Sequence, residues 1–458
     1  HNIDGENTFV RENQLDLGRG PILPLLFKMS WPSIVAMSVM AIYQVNDAFW
    51  IARLSHEALA ALTICFPIQA MILSIGIGTG IGAGSFASRM FGAGRNMRAG
   101  QAAGQTILVS LCLGVLLILL VEFHAETILV VFGATGEIIP LAGQYLRILV
   151  IGAPFLFILF ISNNLIRAEG KPKLSMFIVL TWAITASILT PFLIFGGIFP
   201  KMGLSGAAAA AVTAQILTAA ISLYLLARKN SLYRLSWRHL APDLEIIAAT
   251  YKTGFPTIVM NMIMSLILIL FNHVLSGYGA TALAIMGLCF RINSLVMMVV
   301  FAVGHGVLPI VGYNEGARLR DRVRETVKVA VTIAITISWT SYALIFMLAR
   351  PILSLFLPDP LMLSDAVTAL RIYVTMLIFA GPIFIWINTF IGLGRGATAM
   401  FLMMIRDVFV VVPLIYYLPS WFGLNGVWLT QPAANGIAFF VIYLWIKRTL
   451  AKMPRDPS

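Results

Sequence analysis

Charge is scarce in this 458-residue chain: Asp, Glu, Lys and Arg make up 11% of it, against 59% hydrophobic residues and a mean hydropathy of +0.92. Soluble globular domains carry about a quarter charged residues, so a soluble fold is excluded. Only three cysteines occur (Cys65, Cys112 and Cys289), all inside apolar runs, which argues against a structural disulfide. The six histidines have no metal-ligand spacing. There is no GxxxxGKS or GxxxxGKT phosphate loop, no HExxH and no aspartate-rich diphosphate motif. Enzyme activity, a cofactor and a resident metal are therefore not expected. Residues 1–20 are polar and the apolar sequence starts near Pro21, so no cleavable signal peptide is expected.

What the chain has instead is apolar sequence in long runs. Cut at roughly 20 residues per crossing, they give twelve spans: 29–52, 59–86, 101–122, 141–165, 174–198, 203–227, 253–275, 281–312, 327–349, 367–393, 398–418 and 424–446. The runs are continuous rather than alternating, which predicts helices and not a transmembrane barrel. The net charge of +12 lies mostly between alternate spans, at Arg89/Arg95/Arg98, Arg167/Lys171/Lys173, residues 228–252, Arg318 to Arg324, and Lys447 to Arg455. That distribution rejects a nucleic-acid partner. The opposite loops carry Arg53, Lys201 and Arg350, and one holds Glu122, Glu126 and Glu137. By the positive-inside rule both termini are cytoplasmic.

The runs are also written twice. Lys28–Arg98 overlays Lys252–Arg322 at a constant offset of 224, matching Pro32/Pro256, Cys65-Phe66/Cys289-Phe290, Gly80/Gly304 and Gly82/Gly306. Later landmarks such as Tyr145/Tyr373, Pro154/Pro382 and Arg167/Arg395 repeat with drifting offsets. The predicted fold is an all-α membrane protein: twelve transmembrane helices in two six-helix lobes related by internal duplication, with a pseudo-two-fold along the membrane normal. Its predicted parts are a polar N-terminal tail (1–20), an N-lobe (21–227), a basic cytoplasmic linker (228–252), a C-lobe (253–448) and a C-terminal tail (449–458). The glycines at 76, 78, 80, 82 and 84 fail the spacing of a dinucleotide loop and suit close helix approach.

An ionisable group inside a span costs about 2.5–3.5 kcal/mol, so each one needs a reason. Asp47 stands out, within Tyr43-Gln44-Val45-Asn46-Asp47 of the first span. A carboxylate held out of bulk water there is placed to take up a proton or bind Na⁺; the alternative is an interfacial acid paired with Arg53. The duplication supplies a control. The counterpart of Asp47 is Phe271, and no acid occurs in the seventh or eighth span, so the acid serves a task of the first lobe alone. Asn163, Asn164, Thr185, Thr190, Thr213 and Gln215 are either interhelical hydrogen-bonding groups or parts of a polar pocket with Asp47. In the second lobe, Arg291 either lines a cavity or snorkels. Arg406-Asp407 is either a structural pair or a second ion site. A methionine-rich set that includes Met262 and Met286 is either core or an adaptable wall for apolar ligands.

These residues resemble the multidrug and toxic compound extrusion (MATE) transporters, from about Pro24 to Lys447. The carrying motifs are Pro32 followed fifteen residues later by Asp47 and then AFWIARLSHEALAAL, NNLIRAEGKPK at 163–173, and GLSGAAAAAV at 203–212. The lack of acids in the seventh and eighth spans resembles the DinF-like branch. The resemblance implies an antiporter working by alternating access and exporting organic cations and amphipathic drugs in exchange for H⁺ or Na⁺. In that reading Asp47 and Tyr43, with Thr190 and Thr213, couple the cation. Gln44, Asn46, Asn163, Asn164, Gln215, Arg291, Met262 and Met286 are cavity candidates, and Pro32 is the point where the first helix bends. Many relatives carry N-x-x-x-D-P in the fifth helix; here the stretch runs from Ala186 to Thr190-Pro191, and losing that second acid favours H⁺. A functional monomer in contact with membrane lipids, in a prokaryotic inner (plasma) membrane, is expected. The alternative is a lipid or lipid-linked-oligosaccharide flippase, which would favour a strongly cationic cavity.

Overall fold

In a computed structural model, residues 14–454 are described, apart from 133, 135, 137, 197–199 and 358. The expectations for the start of the N-terminal tail, Glu137 and Arg455 lie outside these residues. The helices are α1 (Ile22–Ala52), α2 (His56–Gly92), α3 (Asn96–Val131), α4 (Ile138–Ile151), α5 (Ala153–Ala168), α6 (Pro172–Phe195) and α7 (Leu204–Ala227). After a 3₁₀ turn at Trp237–Leu240 come α8 (Leu244–Ser276), α9 (Ala280–Gly316), α10 (Arg320–Met347), α11 (Ala349–Ser354), α12 (Pro360–Val374) and α13 (Leu377–Gly392). Then follow α14 (Gly396–Met404), a π-helical stretch (Ile405–Val411), α15 (Val412–Phe422) and α16 (Leu424–Ala451). Among the described residues, eleven spans are long and apolar enough to cross a membrane. A twelfth arises if α4 and α5, bent by 46°, count as one. The chain is a multi-pass, all-helical membrane protein.

It divides into two compact units. One holds the residues up to Leu17 and Pro32–Ile258; the other holds Gly18–Trp31 and Val259–Ser458. The unit boundaries thus cut the first helix of each repeat beside its shared proline, Pro32 or Pro256. The 228–252 linker belongs wholly to the first unit. In that unit α2 packs on α3 and α5, α5 on α7, and α6 on α7; in the second, α9 packs on α10 and α13, and α13 on α16.

The glycines of α2 explain its two-sided packing. Residues four apart share a helix face, and residues two apart lie on nearly opposite ones. Cβ atoms at Gly76, Gly80 and Gly84 would run into Phe157, Phe160 and Asn164 of α5. A Cβ on Gly78 would lie 2.4 Å from Ile258, and one on Gly82 2.7 Å from the Gly254 backbone, both of α8. The second unit repeats the scheme: Gly304 meets Phe384 and Asn388, and Gly306 meets Ser30 and Met29 of α1. On α2 backbones touch on both faces, at Gly80 against Phe160 and at Gly82 against Gly254, which only glycine permits.

The linker is docked rather than loose. Tyr233 is 1% exposed, stands edge-on to Phe91 at 5.0 Å, and donates its hydroxyl to the Leu165 carbonyl at 2.7 Å. Glu169, in the α5–α6 turn, accepts from the Leu232 amide (2.7 Å), Lys171 Nζ (2.7 Å) and Ser231 Oγ (3.4 Å). Its backbone carbonyl accepts from Gln14 Nε2 at 3.0 Å, and the Gly170 carbonyl accepts from the Leu15 amide at 2.9 Å. Gly170 has φ +81°, and a Cβ there would lie 2.5 Å from the Leu15 carbonyl, so glycine is required twice over. One turn therefore fastens both the approach to α1 and the linker.

Two outcomes follow. Gly82→Val should lower the melting temperature of the detergent-solubilised protein, since overpacking costs about 1–3 kcal/mol; an unchanged melting temperature would show that α2 and the start of α8 can separate. Burial holds the Glu169 carboxyl above its ordinary titration range, against the opposing pull of Lys171 and its hydrogen bonds. Because the folded value is the raised one, its stabilising share is complete at low pH and is lost as pH rises through the folded value. The stability advantage of wild type over Glu169→Gln should thus be larger near pH 4 than near pH 7. The reverse trend would mean that Lys171, not burial, governs the group.

Candidate functional site

Three turns of α1 present Met40, Tyr43, Gln44, Asp47 and Ala48 on one face, by their i, i+3, i+4, i+7, i+8 spacing. Opposite stand Ala207, Ala211 and Gln215 of α7, spaced by four, and the two alanines leave room. Leu62, Phe66, Gln69 and Leu73 of α2, Tyr145 and Leu149 of α4, Leu156 of α5 and Trp182 of α6 complete a cavity of about 380 Å³. All of it belongs to the first unit.

Asp47 is half-buried and is the sole charged residue on this wall among the described residues. Thr190, which is 1% exposed and donates its hydroxyl to the Ala186 carbonyl at 2.8 Å, is the side chain placed to exchange that bond for one to Asp47. A hydroxyl has one proton and two lone pairs. Turned toward Asp47, that proton stabilises the carboxylate. Turned toward Ala186, it leaves Thr190 free to accept from the protonated acid. Arg53 is not the partner: its guanidinium lies 4.3 Å from the Phe49 ring centroid and 5.7 Å from that of Trp50. No ion pair reaches Asp47 among the described residues.

The neighbours are aromatic and amide groups. The Tyr43 ring packs against Trp182 at 5.4 Å, and Trp182 meets Phe160 edge-on at 6.4 Å. Gln69 Nε2 donates to the Tyr145 hydroxyl at 2.7 Å. Gln215 is buried, and its Oε1 has no partner.

The expected site residues separate into three groups. Tyr43, Gln44, Asp47 and Gln215 line the cavity, and the buried Thr190 is beside Asp47 without lining it. Asn46 instead ties α1 to α6, accepting from Trp50 Nε1 at 3.1 Å and approaching the Ser187 carbonyl at 3.5 Å. Asn163 lies in a buried network with Ser175 and Arg167, Asn164 donates to Phe160, and the exposed Thr213 donates to Ala209. Met262, Met286 and Arg291 belong to the second unit: Met286 is packed in its core, Met262 is half-buried and Arg291 is exposed. Arg406 Nε pairs with Asp407 Oδ1 at 2.8 Å inside the π-helical stretch, with Asp407 buried. Gln69, Trp182 and Tyr145 also line the cavity and are not among the expected site residues. Gln69 is a polar residue inside a span, and Tyr145 already marks the repeat, so both left a signal; Trp182 left none.

These features define a two-lobe, multi-span helical membrane protein with an acid-bearing cavity inside one lobe. The chain belongs to the MatE family, whose sequence profile matches residues 32–193 and 256–417. It is 27% identical over 429 residues to the multidrug export protein MepA of Staphylococcus saprophyticus, covering 92% of this chain and 93% of the relative. It superposes with a TM-score of 0.88, at 25% identity, on an outward-facing multidrug resistance MATE family transporter of the MOP superfamily, covering 96% of this chain and 98% of the other. It also superposes with a TM-score of 0.89, at 26% identity, on a MATE crystal structure in the bent conformation, with 95% and 97% covered. These relatives are transporters, not enzymes.

The Gln69–Tyr145 bond makes a double-variant test. Gln69→Leu should cost about 1–3 kcal/mol by orphaning the Tyr145 hydroxyl, whereas Gln69→Leu with Tyr145→Phe should recover most of that loss. Thermal unfolding followed by tryptophan fluorescence reads both. No recovery in the double variant would mean that water in the cavity already satisfies the hydroxyl.

Proposed function

We propose that this protein is an antiporter that exports amphipathic, chiefly cationic, small molecules in exchange for a cation, with H⁺ favoured over Na⁺. The observation that carries the reading is Asp47: one carboxylate without a fixed counter-ion, in a cavity walled by aromatic and apolar side chains. Such a wall suits flat organic cations, through stacking and cation–π attraction to Tyr43, Trp182 and Phe66. A cationic cavity, which a carrier of lipid diphosphates would need, is not what surrounds Asp47. The multidrug export role named for the relatives agrees with this reading.

H⁺ is favoured because a hard cation such as Na⁺ needs several oxygen ligands. Thr190 supplies one, the second acid of related sequences is absent, and Thr213 is turned to its own helix. A proton needs only Asp47 and a neighbour that accepts or donates. Protonation removes the charge that attracts the substrate, so proton and substrate exclude one another. A ligand shifts a conformational equilibrium only through such differential affinity. Pro32 provides the bend: it stands where α1 passes from one compact unit to the other, and it leaves the Lys28 carbonyl without its helical donor. With the basic loops inside, both termini face the cytoplasm, and a monomer in a prokaryotic inner membrane suffices.

Efflux of ethidium from proteoliposomes, under a pH gradient alone and then a Na⁺ gradient alone, tests the assignment. The pH gradient should drive export, and Asp47→Asn should abolish coupled export while the protein still folds. Export by the variant at the wild-type rate and pH dependence would remove Asp47 from the mechanism. Export driven by Na⁺ alone would reassign the ion.

A further inference from the structure

A second cavity, of about 670 Å³, belongs wholly to the second unit. It opens where α9, α13 and α16 end, on the side of the basic connections. Arg320 begins α10, Arg395 sits in the α13–α14 turn, and Arg448 and Lys452 close α16. Against these four cations stands one acid, Glu315, in the last turn of α9. Glu315 Oε2 is buried and has no hydrogen-bond partner. No ion pair ties Arg395, Arg448 or Lys452 to an acid among the described residues.

The chemistry changes along one stripe of α16. Val441, Leu444, Trp445, Arg448 and Lys452 share a face, by their helical spacing, and run from apolar to cationic toward the helix end. Leu444 is 54% and Trp445 43% exposed. The end of the helix is held in place by Arg324, whose guanidinium bonds the carbonyls of Leu450 and Met453. An apolar wall that becomes a cationic rim at the membrane boundary is complementary to a phospholipid, from acyl chain to phosphate.

We propose that this cleft is a binding site for an anionic glycerophospholipid of the cytoplasmic leaflet. The phosphodiester sits among Arg395, Arg448 and Lys452, an acyl chain lies along Leu444 and Trp445, and a headgroup hydroxyl donates to the unpaired oxygen of Glu315. The same residues disfavour other phosphate sources. Free phosphate would leave the apolar wall of Leu444 and Trp445 unused. A choline headgroup has no N–H or O–H for Glu315 and no net charge to match a cleft with three positive charges in excess.

The full-length protein in detergent can be titrated with phosphatidylglycerol brominated on its acyl chains, reading the tryptophan quenching that Trp445→Phe removes. Saturable quenching is expected. Arg395→Gln with Arg448→Gln should weaken it about tenfold or more, since each basic residue contributes to the attraction of an anionic lipid. Arg395→Lys with Arg448→Lys, at the same exposed positions, should retain it. Brominated phosphatidylcholine should not saturate the site, and millimolar inorganic phosphate should not displace the lipid. Equal binding of phosphatidylcholine, an unaffected glutamine variant, or displacement by inorganic phosphate would each overturn the proposal.

Discussion

Hydrocarbon offers no partner for a backbone N–H or C=O, and nearly every feature of this chain answers to that constraint. It forces the sequence into helices, and it removes the hydrophobic drive that would hold helices together in water. Close backbone approach then supplies the cohesion. The α2 glycines place one helix against α5 on one face and α8 on the other, and Gly304 and Gly306 repeat the arrangement in the second unit. The two faces differ in kind. One meets a helix of the same repeat, the other the opening segment of the other repeat's first helix, which is why the unit boundaries cut α1 beside Pro32 and α8 beside Pro256.

Against this apolar frame the acids divide by their partners. Burying a carboxylate in a span costs about 2.5–3.5 kcal/mol, and a hydrogen bond to a charged group returns about 1.5–3 kcal/mol. Glu169, in a turn between helices, accepts three hydrogen bonds, one of them from Lys171, and Asp407 has Arg406, so each has a fixed cation beside it. Asp47 has the Thr190 hydroxyl and no fixed cation. An acid left with that deficit answers to any proton, metal ion or organic cation that reaches it, whereas a satisfied pair does not. The difference in partners is what sets Asp47 apart from the other two.

How much of this was legible follows from the range of each interaction. Span number, duplication and helix type depend on apolar run length and on a constant offset, both properties of neighbours in sequence. Asp47 stood out for the same reason, as a charge in a run that otherwise excludes charge. The role of Asn46 was not legible: one residue before Asp47, it lies about 100° away around the helix, where it accepts from Trp50 of its own helix and reaches Ser187 of α6. Asn163 and Thr213 read as pocket oxygens by residue type, yet their bonds close locally, on Ser175 and Ala209. The linker reads as a loop because it is basic, but its hold on Glu169 and Leu165 joins residues more than sixty positions apart.

The sequence by itself determined that this is a duplicated helical membrane protein with one unmatched acid in its first span, because hydropathy, periodicity and repetition are written along the chain. Only the tertiary structure decided which polar groups meet that acid, that Arg53 turns to aromatic rings instead, and that Gln69, Tyr145 and Trp182 share its cavity. Those outcomes rest on the rotation of one helix against another. That rotation is set by where small residues let backbones touch, and no single segment carries it.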